Sequence, residues 1–565
     1  MRPTLNLIVP TLLTLSLALA GCVSLAPAHE RPAAPVAADW PAPAASPADA
    51  RAAADLGWRE FITDARLREV IELALAQNRD LRVALLNVQR AQAQYGVQRA
   101  DQLPSINASG GQTAQRLPGS LTGTGQPALS RQYTAGVGLS AFELDLFGRV
   151  RNLTDAALQQ YLATEDGRRS TQISLIAQVA SSWLTLAADQ ERLQLTELAV
   201  KTREDSLRLT QRLQAGGLSS TLDLRQAEIA VEQARADLAS LTQQVASDRH
   251  ALELLVGAPL QARHWPESGS ADAATLTAEL PAGLPSEVLL QRPDVQQAER
   301  SLQAAEAQIG AARAAFFPRI SLTASAGTAS NALDGLFKAG SGSWSFIPQI
   351  SLPIFDAGRN RAQLRVAQVD RDIAVAQYEK AIQSAFREVA DGLAQRTTLD
   401  QQAQAQQRLV TQTADALRLA EARFKAGVDD RLATLDAQRA LYAAEQALVQ
   451  VQLARQLNRV TLYKALGGGA LAEAQAQGDA AGAQRLRQRA GRGRMLAVEG
   501  GALQHEIELR HDHPVLQIPN GLGLVPVHAD LRMGHPVLGQ HPGRHGLAHE
   551  IDQVFAVGEV MLLAQ

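Results

Sequence analysis

Tyr133-Thr134-Ala135-Gly136-Val137-Gly138-Leu139-Ser140 carries an apolar residue at every odd position, with threonine, glycine or serine at the even ones. A period of two belongs to a strand, because successive side chains leave opposite faces. Three more runs share it. Ile106 and Ala108 alternate with Ser105, Asn107 and Ser109; Ile320, Leu322, Ala324 and Ala326 with Ser321, Thr323 and Ser325; Trp344, Phe346, Ile350 and Leu352 with Ser343, Ser345, Gln349 and Ser351. Each expected strand has one apolar row and one small polar row. That is the pattern of a transmembrane β-barrel with hydrocarbon outside and water inside, and a soluble, half-buried sheet predicts it too. Pro104 and Pro318 delimit strands of about ten residues, which fits membrane thickness, and Tyr133, Trp344 and Phe346 suit an interfacial aromatic belt. A lipid-facing sheet is therefore expected. Four strands cannot close alone, because open edges fail in hydrocarbon and the smallest single-chain barrels have about eight. Chains must share a barrel. Two copies give a lumen filled by side chains; three give twelve strands and room for water, which a conducting channel prefers.

Working outward, the strands sit inside a duplication. Asn78-Arg79-Asp80-Leu81 opens an Ala/Gln-rich helix that ends at Pro104, and Arg292-Pro293-Asp294-Val295 opens another that ends at Pro318. Each then gives a strand, a Gly/Ser-rich loop and a second strand, closing at Phe147-Gly148-Arg149 and Ala357-Gly358-Arg359 where helix resumes. Further on, Ala215-Gly216 pairs with Ala426-Gly427, and Asp223 with Asp436. Nothing breaks the helical pattern from Gly167 to Gln214, a rod of roughly 70 Å. Its return from Ser220 to Val256 repeats Leu222, Ala227, Ile229, Ala234, Leu238, Leu241 and Val245 at three- and four-residue steps. That spacing predicts coiled-coil-like packing. Glycine at Gly216, Gly217 and Gly427 is expected to end one helix, and Ser219, Ser220, Asp429 or Asp430 to cap the next.

The N-terminus sets the compartment. Arg2, an apolar stretch from Leu5 to Ala20 and the small residues after it read as a secretory signal. Leu19-Ala20-Gly21-Cys22 resembles the bacterial lipoprotein box, so the chain's one cysteine, Cys22, is expected to carry lipid. Val23 in place of aspartate favours the outer membrane, by resemblance to other lipoproteins. The net charge of −3 excludes a polybasic surface for nucleic acid. One cysteine rules out a disulfide framework and a cysteine-built metal site. His250 and His264, the histidines within the repeats, have no ligand-like or base-like spacing and read as solvated or linker residues. Gly119-Ser120-Leu121-Thr122-Gly123-Thr124-Gly125 lacks the Lys-Ser/Thr of a phosphate loop. No enzyme, cofactor or metal is expected.

The lipobox, the two helix starts, the strand exits Phe147-Gly148-Arg149 and Phe355-Asp356-Ala357-Gly358-Arg359, and Leu435-Asp436-Ala437-Gln438-Arg439 resemble the outer membrane factors, the TolC/OprM-like lipoproteins of the NodT group. The resemblance covers residues 50 to 469. It implies a homotrimer with a twelve-stranded barrel in the outer membrane, four strands per chain, continuous with a long periplasmic α-helical barrel. It implies the exit duct of a tripartite efflux pump for small molecules, drugs foremost. The implied partners are outer membrane lipid, a periplasmic adaptor and an inner membrane transporter of the resistance-nodulation-division type. Leu432, Asp436 and Arg439 would form the periplasmic gate, with Asp436 as a ring of carboxylates and Arg439 as an ionic lock. Their bland reading is a solvated i,i+3 pair. Asp223 and Gln226 would hold the matching place in the first repeat, and Gly216, Ser219, Asp223, Gln226, Gly427 and Asp429 would form the tips that meet the adaptor.

The expected division is a signal peptide over 1–21, a lipidated Ala/Pro-rich tether with little to pack over 22–50, a first repeat over 51–257, an equatorial linker over 258–285, a second repeat over 286–469 and an atypical tail over 470–565. The tail holds eight of the eleven histidines and no Ser, Thr, Lys, Tyr or Trp. It reads as disordered, or as a frame-shifted or read-through end. The competing functional reading is a non-conducting periplasmic scaffold or adaptor lipoprotein, which has no use for four membrane-length alternating strands.

Overall fold

A computed structural model describes residues 24–37, 39–40, 56–123, 125–267, 276 and 286–469. The expected signal peptide, Cys22, much of the 258–285 linker and the 470–565 tail lie outside the described residues. Described elements begin with α1 (Trp58–Phe61), α2 (Ala65–Gln77), α3 (Arg79–Ala100), β1 (Ile106–Leu117), β2 (Ala128–Leu144), α4 (Arg149–Ala215) and α5 (Thr221–Val256). The order then returns as α6 (Pro293–Ala314), β3 (Arg319–Ser330), β4 (Gly342–Ser351), α7 (Arg359–Lys425) and α8 (Arg431–Ala465).

Helices α4 and α7 have 67 residues each, roughly 100 Å at 1.5 Å per residue. The rod expected from Gly167 is thus too short; α4 starts at Arg149, directly behind β2. Gly167 does not interrupt it. A Cβ there would stand 3.1 Å from Gln297 Oε1, so its bareness lets α6 lie close. Gly148 and Gly358 turn strand into helix at φ of 73° and 87°, a region glycine enters freely. Upstream carboxylates cover the free amides of the first turn: Asp145 accepts from Arg151 N–H at 2.7 Å, and Asp356 from Gly358 and Asn360 N–H at 2.9 and 2.8 Å.

The hydrophobic core gathers Phe61, Ile71, Trp183, Leu252, Tyr378, Val389 and Tyr463 from α1, α2, α4, α5, α7 and α8. Phe61 stacks on Tyr463 with ring centroids 4.1 Å apart. Two residues of the repeated helix starts bind helix ends together here. Asn78 Oδ1 accepts from Leu81 N–H at 2.8 Å and caps α3, while its Nδ2 donates to the Leu255 carbonyl at 2.7 Å. Arg292, just before α6, donates from Nη1 to the Ala465 carbonyl at 2.8 Å and from its other nitrogens to Asp294 and Glu388. Both reach carbonyls that the C-termini of α5 and α8 leave unpaired. His264 is buried, not solvated: its Nδ1 accepts from Gln261 N–H at 3.1 Å, and its carbonyl accepts from Trp183 Nε1 at 3.2 Å.

The strands form one antiparallel sheet in the order β1-β2-β3-β4. Among the described residues nothing pairs with the outer edge of β1 or of β4. Register collects the apolar rows onto one face: Ile106, Leu139, Ala324 and Phe346 stand opposite in turn, as do Ala108, Val137, Ala326 and Trp344. The other face carries Asn107, Gly138, Ser325 and Ser345, where the two serine hydroxyls lie 2.8 Å apart. Gly327 sits opposite Gly136, and a Cβ on it would come within 2.2 Å of the Ala135 carbonyl oxygen.

β2 runs past the alternation that ends at Ser140. A β-bulge falls between Leu139 and Phe142, with Ala141 at φ 53° and its N–H donating to Thr323 Oγ1 at 3.1 Å. One extra residue restores the parity: Phe142 and Leu144 rejoin the apolar face opposite Leu322 and Ile320. Glu143 turns to the polar face, where Arg149 donates twice to it at 2.8 Å and Arg319 pairs with it.

The described part of the expected tether is docked, which corrects the reading that it has little to pack. Ser24 Oγ donates to Asn152 Oδ1 at 2.8 Å, Arg313 Nη1 donates to the Leu25 carbonyl at 2.9 Å, and Arg31 pairs with Glu299. His29 Nδ1 lies 2.8 Å from Glu306. Trp40 stacks on Phe386 with centroids 4.7 Å apart. Cationic and aromatic residues spaced through an Ala/Pro-rich segment provide these contacts. Inserting one alanine after Ala141 should throw Phe142 and Leu144 to the polar face and Glu143 to the apolar one. The expected outcome is loss of most membrane-assembled protein in outer membrane fractions, with Ala141→Gly assembling normally.

Candidate functional site

The far ends of the two helical hairpins are built alike. In the first, Leu218 N–H donates to the Leu213 carbonyl at 2.8 Å and Gly217 N–H to Gln214 at 2.9 Å; in the second, Val428 N–H donates to Arg423 and Gly427 N–H to Phe424, both at 3.0 Å. Both are Schellman turns, in which the residue after the cap is left-handed. Gly217 and Gly427 fill that position at φ of 72° and 71°. Gly216, at φ −83°, occupies the place of Ala426. Pairing Gly216 with Gly427 is therefore one residue out of step.

The caps fix the register of the two returning helices. Ser220 caps α5 and Asp430 caps α8, each accepting from the amide three residues on. Asp223 completes a capping box: it accepts from Ser220 N–H at 2.9 Å and Ser219 Oγ at 3.0 Å, while its own N–H donates to Ser220 Oγ at 3.1 Å. These bonds, the Ser220 amide foremost, hold its carboxyl below the usual range. Counting from each cap, the residue matching Asp436 is Gln226, not Asp223, and the residue matching Arg439 is Ile229. Those two positions in the first hairpin thus hold no acid–base pair; its pair at this level is Arg225 with Glu228, 2.7 Å apart and one residue earlier. In the second, Arg439 Nη2 lies 3.1 Å from Asp436 Oδ1, with both side chains more than half exposed, and Leu432 is partly exposed one turn nearer the tip. Within one chain, Asp436 and Arg439 neutralise each other as an i,i+3 pair.

Asp429 lies in the turn, where Arg423 grips it through two bonds at 2.6 and 2.7 Å and keeps its carboxyl below the usual range. Leu218 and Val428, just past the left-handed glycines, are 79% and 63% exposed, so each turn presents an apolar side chain to water, joined at the first tip by the exposed Leu222. Chain reversal was legible from glycine and serine; the Arg423 clamp joins residues across a turn and leaves no periodic trace.

Sequence reading also missed a polar seam between the hairpins. Arg192 Nε donates to Gln446 Oε1 at 2.8 Å, and Gln446 Nε2 donates back to the Arg192 carbonyl at 3.1 Å. One turn nearer the tips, the Thr196 and Tyr442 hydroxyls lie 2.9 Å apart. Arg203 is buried with its guanidinium 5.1 Å from the Tyr442 ring centre and donates to the Ala230 carbonyl at 3.1 Å. Arg431 reaches Ser206. These residues recur at three- and four-residue steps along α4, so they look like ordinary helix surface until α8 is laid against them.

A carboxyl pair lies between α4 and α5. Asp248 faces the buried Asp189, which also accepts from Arg192 Nη1 at 2.8 Å. Asp248 Oδ1 accepts from Gln244 at 2.9 Å, while its Oδ2 is buried with no protein donor. Two acceptors facing each other are satisfied only by a shared proton, and burial together with Asp189 raises the Asp248 carboxyl to about 6.

With this geometry in hand, comparison with known proteins decides the family. The family model described as "Outer membrane efflux protein" matches residues 70–258 and again 284–468. The chain belongs to the outer membrane efflux protein family. The antibiotic efflux pump outer membrane protein ArpC of Pseudomonas putida is 50% identical over 454 residues, covering 80% of this chain and 93% of ArpC. The toluene efflux pump outer membrane protein TtgC, also of Pseudomonas putida, matches with the same identity and coverage. Among solved structures, the open state of the Neisseria gonorrhoeae MtrE outer membrane channel is 40% identical with a TM-score of 0.73, covering 79% of this chain and 99% of that one. This efflux protein is an outer membrane channel of tripartite pumps and extends into the periplasm. It is a transport component that associates with other pump parts.

Two outcomes are expected of the efflux protein in detergent. Tyr442→Phe should cost about 1 kcal/mol by removing the bond to Thr196, read as a lower thermal midpoint. For Asp248 the folded carboxyl binds its proton more tightly than the unfolded one does, so stability should fall as pH rises from about 4 to 6 and level off above. Asp248→Asn should flatten that slope, as thermal melts across this range would show.

Proposed function

We propose that three copies of this chain pool their sheets into a twelve-stranded barrel and their long helices into a periplasmic tunnel, and that the assembly exports small apolar molecules, drugs foremost. One observation carries this reading: a four-stranded sheet with its apolar residues on one face and two unpaired edges. Such a sheet is complete in hydrocarbon only when each edge finds a neighbour. Twelve strands leave an aqueous lumen, whereas eight would fill with side chains. The relatives named for antibiotic and toluene efflux support the choice of cargo.

In this reading residues 1–21 are a cleaved signal, Cys22 is lipidated, and residues 22–50 form a strap. Its contacts at Ser24 and Leu25 with Asn152 and Arg313, near the sheet-to-helix junction, support an anchor whose acyl chains would lie beside the barrel base. Residues 51–257 and 286–469 are two copies of one unit, 258–285 joins them at the equator, and 470–565 is an atypical tail that belongs to neither copy. Transport energy comes from an inner membrane transporter of the resistance-nodulation-division type. A periplasmic adaptor seats on the tips, where Leu218 and Val428 offer apolar anchors beside Gly216, Ser219, Asp223, Gln226, Gly427 and Asp429.

The gate in this reading is the level of Leu432, Asp436 and Arg439. Three copies bring three Asp436 carboxylates toward the axis, and like charges at close range need cations among them. Each Arg439 is in reach of its own Asp436 and, at a closed aperture, of its neighbour's. Opening separates the second hairpins from the first along the seam of Gln446, Tyr442 and Arg431.

Asp436→Ala with Arg439→Ala should raise closed-state conductance in planar bilayers severalfold. Unchanged conductance removes the gate assignment. Chemical crosslinking of the purified protein should give a limiting mass of three chains, and a limiting monomer would refute the shared barrel.

A further inference from the structure

The outward face of the sheet carries two cations with no counter-charge. On β2 the apolar row runs Leu144, Phe142, Leu139, Val137, Ala135 and Tyr133, and the next residue in that row is Arg131. On β1 the same face runs from Ile106 through Gln112 and Ala114 to Arg116. Arg131 pairs with Ala114, and Arg116 with Leu129, so the two arginines are diagonal neighbours across the β1–β2 ladder, about 7 Å apart at their Cβ atoms. Both are exposed, and among the described residues neither has an ion-pair partner. The sequence holds no aspartate or glutamate between Asp101 and Glu143, so this hairpin cannot neutralise them itself. The β3–β4 hairpin differs: its Lys338 is paired with Asp334 at 2.7 Å.

Height adds the second constraint. From Leu144 to Tyr133 the row spans roughly 33 Å along the strand, or about 25 Å across a bilayer at barrel-like tilt. That is the height of a barrel's apolar band, with Tyr133 at its upper rim. Arg131 and Arg116 follow at once, on the hydrocarbon side rather than the lumen side. They lie at the hairpin end, away from the helices and hence outside the cell. There the medium is the headgroup layer of the outer leaflet. Planar guanidinium groups match phosphate oxygens in a two-pronged way that lysine does not.

We infer that Arg116 and Arg131, flanked by Gln112 and the Tyr133 ring, form a binding site for the phosphorylated headgroup of an outer-leaflet lipid. The inference rests on the shared-barrel reading above. Because the site lies wholly within one β-hairpin, each copy carries its own.

Native mass spectrometry of the full-length assembly, loaded with bisphosphorylated lipid A or its dephosphorylated form, tests it. The wild type should retain the bisphosphorylated lipid roughly tenfold more than Arg116→Ala/Arg131→Ala does, one charge-assisted bond's worth of affinity. Arg116→Gln and Arg131→Gln alone should fall between, and millimolar inorganic phosphate should not displace the lipid. The dephosphorylated lipid should not distinguish wild type from variant. Equal retention by wild type and variants, retention independent of the phosphates, or ready displacement by free phosphate overturns the site. The same spectra report subunit number: three chains with equal retention sinks this site alone, whereas a single chain sinks the barrel reading. If the double alanine variant does not assemble, the glutamine variants decide by the same criterion.

Discussion

Backbone amides and carbonyls in hydrocarbon have no water to turn to, and among the described residues this chain meets that condition with four strands. β2 and β3 are paired on both sides over most of their length; among the described residues β1 and β4 each keep one row of groups open. The apolar face, the glycines where backbones nearly touch, and the bulge at Ala141 serve one surface, which in the proposed assembly is finished by an identical neighbour. In the shared-barrel reading a lone copy has no stable place in the bilayer, which would tie insertion to assembly.

Below the sheet, the problem is one of reach. Helices of 67 residues fray or bend unless their ends are held, and each terminus here is tied to another element. Asp145 and Asp356 cover the starts of α4 and α7, Schellman turns close their ends, and Asn78 and Arg292 bind the returning helices back to the core. Between the hairpins the chain uses hydrogen bonds and one buried guanidinium instead of a continuous apolar seam. Polar contacts can be exchanged for water at modest net cost, so this junction would suit the opening proposed for the gate.

Much of this was legible in the chain of letters. Period-two runs located the strands, and glycine followed by serine or aspartate located the turns. What escaped was whatever depends on partners distant in sequence. Alternation stops at Ser140, so Phe142 and Leu144 cannot be assigned a face until the bulge against Thr323 is seen. Asp223 and Asp436 occupy similar-looking motifs, yet Asp223 is consumed by the cap at Ser220, which moves the true counterpart of Asp436 to Gln226. Ala and Pro hid a strap whose sparse His29, Arg31 and Trp40 find Glu299, Glu306 and Phe386. Leu432, Asp436 and Arg439 came from family likeness, since a single chain shows Asp436 and Arg439 only as a surface pair.

The equal span of α4 and α7 has a bearing on heredity. Both descend from the same sheet and must arrive at the same depth, so an insertion of two turns in one arm, without its twin, would leave a mouth with uneven prongs. A change of reach would then have to come as a matched pair, one in each arm, so the depth of the tunnel is written twice into the gene.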